Sequence, residues 1–183
     1  MKLVKFTQVV VVATSVASFN TTADNLGTVD FIGTVVSTPC NIAQSSLKQT
    51  IDFVQLSRRA LENGRVAEVD FNIEFTGCDF TDFDKDAEGK PMAVKTMELV
   101  FTGKSYADAA STLLSTSVGN TNNVGVGIEG FEFGKAKDVL SRIANKKGDN
   151  TLKFKAFAKA VDTTKDVVEG QFNATSNFRI TYQ

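Results

Sequence analysis

Hydrophobic and polar residues alternate one by one along much of the chain, which is the side-chain period of a β-strand that packs one face against a core. From residue 69 to residue 76, Val, Phe, Ile and Phe alternate with Asp, Asn, Glu and Thr. Segments rich in Gly, Asn, Asp and Lys, such as residues 145–150, separate this run from others like it and predict turns. The alternating runs lie at residues 29–35, 69–76, 97–101, 124–128, 152–158 and 172–182.

Helical signals are few, so the runs favour an all-β antiparallel sandwich, built as one domain behind an N-terminal arm. Residues 56–63, followed by Gly64, predict one or two helical turns that end at the glycine. Residues 105–115 are rich in Ala and Ser and fit either a short helix or a loop.

Residues 1–17 have the features of a secretory signal peptide. Lys2 and Lys5 give the positive end, an apolar segment follows, and small residues precede the preferred cleavage site after Ala17. Ala23 offers a second site. The apolar segment is far shorter than the ~20 residues that span a bilayer, so we expect export without membrane insertion.

Export suggests a structural role for the two cysteines, Cys40 and Cys78, because an oxidising compartment would join them in a disulfide. A metal site or a redox pair are the alternatives. Two Cys without His make a poor zinc site, and the spacing is not that of a CxxC redox motif. A structural disulfide is therefore the preferred interpretation.

The charges are balanced, with 20 Lys and Arg against 21 Asp and Glu and a formal net charge of −1. That balance gives no reason to expect a nucleic-acid partner. The chain has no His, the residue most used for general acid–base catalysis near neutral pH and the commonest metal ligand. We therefore expect no catalytic residues, no metal site and no cofactor.

Gly125, Gly127 and Gly130 spell the G-x-G-x-x-G pattern of a dinucleotide-binding loop. That loop must open a helix, whereas Val126 and Ile128 continue the alternation of a strand. The pattern therefore predicts a strand and not a nucleotide site.

An acidic stretch between Asp79 and Glu88 resembles the start of a calcium loop. Counted from Asp82, the positions that need Gly and Glu hold Ala87 and Ala93. A solvated loop is the preferred interpretation, with weak calcium binding as the alternative.

Four segments, spread across nearly all of the exported chain, stand out together. They are residues 27–36 followed by Cys40, residues 69–73 leading to Cys78 and Asp79, residues 123–128, and residues 170–183. The last of them has a Gly fourteen positions from the end and an aromatic residue next to last. In sequence and in order these segments resemble the chaperone–usher pilins, the family of type 1 fimbrial subunits, and its major subunits in particular.

The resemblance implies an incomplete immunoglobulin-like sandwich that lacks its final strand, with residues 18–33 as an N-terminal arm and residues 34–183 as the pilin domain. It implies a groove beside residues 171–182, which a strand of a periplasmic chaperone fills first. At the outer-membrane usher, the arm of the next copy would replace the chaperone's strand, which is donor-strand exchange. The chain would thus pass through the periplasm and end outside the cell, on the bacterial surface, as part of a homopolymer.

The arm and the last strand supply the residues that would meet in this joint. In the arm the groove-facing set would be Gly27, Val29 and Phe31, with Phe19 as a further candidate, whereas Gly33 and Val35 would begin the subunit's own first strand. The residues of the C-terminal strand that bind the chaperone or the arm would be Gly170, Phe172, Phe178, Ile180 and Tyr182.

The predicted function is that of a structural subunit that polymerises into a fimbrial shaft and supports cell adhesion. A minor or adaptor pilin of the same system is one alternative. A free secreted immunoglobulin-like binding module, which would fold without a partner, is the other.

Overall fold

The computed structural model describes residues 27–183, and the chain divides after Val35 into two units. The described part of the first unit, residues 27–35, has no regular secondary structure, so the strand predicted over residues 29–35 is not formed there. Its apolar side chains, including those of Val29 and Phe31, are exposed. The predicted signal peptide, both cleavage sites and Phe19 lie outside the described residues.

The second unit, residues 36–183, is built mainly of β-strands. Its two short helices are α1 (Gln44–Leu47) and α2 (Arg58–Glu62), and Val118–Asn120 and Leu140–Arg142 form single 3-10 turns. The strands are β1 (Asn41–Ile42), β2 (Ala67–Asp79), β3 (Asp84–Lys85), β4 (Pro91–Met92), β5 (Met97–Gly103), β6 (Leu114–Ser115), β7 (Val124–Ile128), β8 (Lys137–Asp138), β9 (Lys147–Ala160) and β10 (Ser176–Tyr182).

These strands form two main sheets in which every paired neighbour is antiparallel. The larger sheet has the order β1-β2-β9-β7-β6, and the smaller has the order β10-β5-β8. Strands β3 and β4 make a separate hairpin, which replaces the solvated loop predicted for the acidic stretch after Asp79. Strand β9 begins at Lys147, so part of the predicted turn at residues 145–150 is strand as well.

The alternation seen in the sequence is the burial pattern of the long strands. In β2 every second residue from Ala67 to Phe75 turns towards the core, and Ile73 is fully buried. Met97 and Leu99 in β5 and Leu152 in β9 are buried in the same way. A cluster of phenylalanine rings lies in this core, with Phe101 5.0 Å from Phe131 and 5.6 Å from Phe154 between ring centroids.

Helix α2 forms where the sequence predicted helical turns. The Ser57 side chain accepts a hydrogen bond from the N–H of Ala60 at its start, and Gly64 ends it with a φ of +76°. Residues 105–115 contain β6 and no helix, so they follow the loop alternative.

Packing in β7 explains Gly127, the central glycine of the G-x-G-x-x-G pattern. A Cβ on Gly127 would lie 2.3 Å from the Phe157 ring and 2.7 Å from the carbonyl oxygen of Thr112. Glycine is therefore needed here because neighbouring strands and side chains approach the backbone closely. Among residues 27–183 no helix is long and apolar enough to cross a membrane.

Candidate functional site: an apolar groove beside the last strand

A long groove of about 1840 Å³ opens in the unit of residues 36–183. Residues 36–58 contribute one part of its lining, and residues 167–182 contribute another. Between them the groove reaches the core side chains of both sheets. Those side chains include Phe71, Ile73, Phe101, Val126, Ile128 and Ala156.

Strand β10 presents an open edge. It pairs with β5 along its whole length, from Ser176 opposite Gly103 to Tyr182 opposite Met97. Within residues 27–183 no strand pairs with its other side. A row of backbone N–H and C=O groups is thus left free for a further strand.

The side chains of β10 alternate, and one set turns inward. Phe178, Ile180 and Tyr182 are half-buried and pack against the core, while the residues between them are exposed. The ring of Tyr182 lies 6.2 Å from that of Phe83 and 6.5 Å from that of Phe80. These three predicted residues are therefore brought together along the groove.

The predicted C-terminal strand is longer than the observed one. Residues 171–175 keep the alternation in burial, with Phe172 half-buried, but they have no regular secondary structure, and β10 begins only at Ser176. Gly170 is exposed and has a φ of +143°, a backbone angle that favours glycine. The strand shortens because β5, its pairing partner, ends at Gly103, opposite Ser176.

The disulfide between Cys40 and Cys78 ties part of the groove's lining to β2, as predicted. Strand β1 follows Cys40 directly but pairs with β2 at two positions only, Asn41 with Thr76 and Ile42 with Phe75. The covalent bond thus reinforces a very short strand pair. Both sulfur atoms are deeply buried with their residues in the main core.

Residues 48–57, which were not predicted to belong to the site, also line the groove without regular secondary structure. Ile51, Phe53 and Leu56 are half-buried, and the ring of Phe53 lies 6.1 Å from that of Phe172. Ile51 and Phe53 alternate with Thr50 and Asp52, which was an available signal. Val54 ends this alternation, and the run is too short to predict that the segment lines a groove.

Charge is confined to the borders of the groove, at residues such as Lys48, Asp52, Arg58 and Glu169, all of them exposed. The groove can therefore exclude water from apolar side chains and pair backbone groups, which suits an extended polypeptide. Among residues 27–183 no group of three or more His, Cys, Asp or Glu is placed to hold a metal ion.

A family model described as fimbrial protein matches residues 29–183 of the chain. The chain belongs to the fimbrial protein family. Its relatives include the KS71A fimbrillin of Escherichia coli, 39% identical over 183 residues, with 94% of this chain and 95% of the relative covered.

Two solved structures resemble this fimbrial subunit. The crystal structure of the P pilus rod subunit PapA gives a TM-score of 0.63 at 34% identity and covers 80% of this chain and 100% of that one. A structure of a chaperone–usher pilus gives a TM-score of 0.68 at 35% identity and covers 89% of this chain and 99% of that one. The immunoglobulin-like fold class and the function of a structural fimbrial shaft subunit are thereby confirmed.

Tyr182, which lines the groove, makes the stability of this fimbrial subunit depend on pH. Burial alone raises the pKa of its phenol from 10.0 to about 12. Between these two values the unfolded chain has lost the proton while the folded subunit keeps it, so the free energy of unfolding falls as the pH rises. Below pH 10 the stabilisation is fully present.

We expect the subunit to lose about 1–2 kcal/mol between pH 10 and 12 through this group, after discounting for partial exposure. Tyr182→Phe should remove that part of the loss, because the ring stays and the ionisable hydroxyl goes. Denaturant unfolding at a series of pH values measures it, with Tyr106→Phe as the exposed control. Identical pH profiles for wild type and Tyr182→Phe would contradict the assignment.

Proposed function

We propose that this fimbrial subunit assembles by donor-strand exchange, with the N-terminal arm of one copy filling the groove of the next. The observation that carries the proposal is the open edge of β10 beside an apolar groove of about 1840 Å³. An added strand would pair with that edge and bury its alternate side chains in the groove, which is β-augmentation.

The arm has the pattern that such a strand needs. Val29 is 73% exposed and Phe31 is 91% exposed, on the same side of an alternating run. The run continues with this parity to Gly33 and Val35, which is fully exposed and belongs to the unit before residue 36. We therefore extend the proposed arm from residues 18–33 to residues 18–35, with residues 36–183 as the pilin domain.

The expected strength of the joint follows from its parts. Three buried apolar side chains contribute ~1.5–3 kcal/mol each. About ten strand hydrogen bonds contribute ~0.5–1.5 kcal/mol each. The gross stabilisation is on the order of 10–25 kcal/mol before the cost of ordering the arm, so the joint should be long-lived.

The same groove suits a periplasmic chaperone before assembly, since an unfilled apolar groove would aggregate. In this proposal the chaperone lends a strand beside residues 171–182, which include Phe172 and the β10 residues Phe178 and Ile180. At the usher, the arm of the next copy replaces that strand. The chain is exported, crosses the periplasm without entering the membrane, and ends on the cell surface. Its role is structural and not enzymatic.

Peptide complementation tests the proposal. A chain that begins at Val36, with its disulfide intact, should gain more than about 10 °C in melting temperature when a peptide of residues 18–35 is added, because binding to the folded state alone stabilises it. The gain should reverse slowly on dilution.

Two altered peptides serve as a matched pair. Phe31→Asp places a charge on the face that meets the groove and should abolish the gain, whereas Ile32→Asp changes the opposite face and should preserve most of it. A stable melt that no peptide changes would mean that the sandwich is complete, and would favour a free binding module.

A further inference from the structure

Strand β9 also has an open edge, which lies away from the groove. It runs from Lys147 to Ala160, but β7 pairs only with its C-terminal part, from Ile128 opposite Ala156 to Val124 opposite Ala160. Between Asp149 and Lys153 no strand of the described part of the chain pairs with that side. A subunit that assembles by strand addition therefore carries, besides the edge of β10, this edge of β9 as a place where a strand could add.

The direction of the backbone groups along this edge is fixed by one hydrogen bond. The carbonyl oxygen of Lys155 accepts from the N–H of Glu129 at 2.9 Å, so it points away from β2. Because a strand residue directs its N–H and C=O to the same side, Asp149, Thr151 and Lys153 also point to the open edge. The residues between them direct their N–H and C=O groups to β2.

Two side chains occupy this edge. The guanidinium of Arg142 donates to the carbonyl oxygen of Lys153, and the side-chain amide of Asn145 donates to that of Asp149 at 3.1 Å. Arg142 also lies over the ring of Phe154, 4.7 Å from its centroid, and so covers a core aromatic beside the edge. Both carbonyl groups that flank Thr151 along the edge therefore already accept a hydrogen bond from a side chain.

The surroundings of Arg142 oppose an apolar strand as well. A cleft of about 620 Å³ beside it is lined by charged side chains, including Asp70, Glu129, Lys153 and Lys155. By contrast, no charged side chain of residues 27–183 donates to a carbonyl of β10, and the groove beside β10 is apolar. Charged side chains at the edge of β9 and apolar side chains beside β10 would favour binding of the arm in the groove over binding at β9.

We propose that Arg142, with Asn145, is a specificity-determining residue of assembly that blocks strand addition at β9 and leaves the β10 groove as the site where copies join. The inference rests on the proposed function, since an edge needs this protection when exposed arms of other copies are present. Arg142 acts by occupying the Lys153 carbonyl and covering Phe154.

The test uses the exported chain, recovered from fimbriae with denaturant and refolded with its disulfide intact. An excess of the peptide of residues 18–35 fills the groove. Native mass spectra should then show one peptide per chain for wild type and for the control Arg65→Ala, whereas Arg142→Ala should bind a second peptide along β9. In that complex the amides of Thr151 and Lys153 should exchange with solvent at least about tenfold more slowly than in wild type, because a new strand protects them.

Two outcomes separate the two proposals. Arg142→Ala that binds one peptide only, with wild-type exchange at Thr151 and Lys153, overturns this inference alone. Wild type that binds no peptide overturns the proposed function, and the inference with it.

A second variant excludes simple unfolding of Arg142→Ala. Lys153→Pro removes the N–H that points to the open edge and no bond to β2, so it should block strand addition there. Arg142→Ala combined with Lys153→Pro should return to one bound peptide per chain. If the double variant still binds a second peptide, that peptide does not lie along β9 and the proposal fails.

Discussion

Subunits with Ile180→Asp are expected to form no filaments. Ile180 points from β10 into the groove, where it is half-buried against the core of the free subunit. An incoming strand would bury it fully, and a carboxylate there would lose its hydration without gaining a partner. The joint should be weakened by more than about 3 kcal/mol, which raises the dissociation rate more than a hundredfold.

Filament length in electron micrographs and the dissociation rate of a labelled arm peptide measure this effect. The matched control is Thr181→Asp, since Thr181 is the next residue of the same strand and its side chain is exposed on the opposite face. The control should assemble as wild type does. Filaments of normal length from Ile180→Asp, or equal losses in both variants, would mean that the groove face of β10 does not form the joint.

Burial along the long strands could be predicted from the sequence because whether a side chain is apolar or polar depends directly on whether that same side chain is buried. In β2 and β9 the predicted inward residues are the observed ones, from Val69 to Phe75 and from Leu152 to Ala158. Alternation needs only the pleat of one strand and one core face, and no knowledge of which strand lies beside it.

The same signal had a different outcome in residues 29–35. They alternate as clearly as β2 does, yet they form no strand, and Val29 and Phe31 are exposed. A strand requires a neighbour for its hydrogen bonds, and alternation predicts the face that will be buried without saying which molecule supplies the partner. This is consistent with a segment that becomes a strand only in another copy's groove.

Features that depend on the arrangement of the sheets could not be predicted. Two-residue strands such as β1 and β8 are too short to show a period. The role proposed for Arg142 depends on β7 ending opposite Ala156 and leaving the rest of β9 uncovered. Residues 48–57 line the groove because of where α1 and α2 place them, and their own sequence carries only a weak alternation.

Removing the disulfide should cost about 4 kcal/mol of folding free energy, the chain-entropy value for a loop closed by residues 38 apart. The effect should be largest at the groove, because Cys40 precedes β1, whose ladder with β2 has only two residue pairs. Without the covalent bond, this part of the lining would be held to β2 by hydrogen bonds alone, such as those from the N–H of Asp79 to Pro39 and from the N–H of Ala43 to Glu74, and it would be displaced more easily. The arm peptide should then bind weakly as well.

The double variant Cys40→Ala with Cys78→Ala tests this without leaving free thiols. Its melting temperature should fall by about 10 °C for a domain of this size, and binding of the arm peptide should weaken in parallel. Wild type treated with a reductant under mild denaturation should behave in the same way, whereas Ser45→Ala, an exposed change close to β1, should not. A double variant that melts lower but binds the peptide with unchanged affinity would show that the bond stabilises the fold without shaping the groove, since a displaced lining segment must lower the affinity.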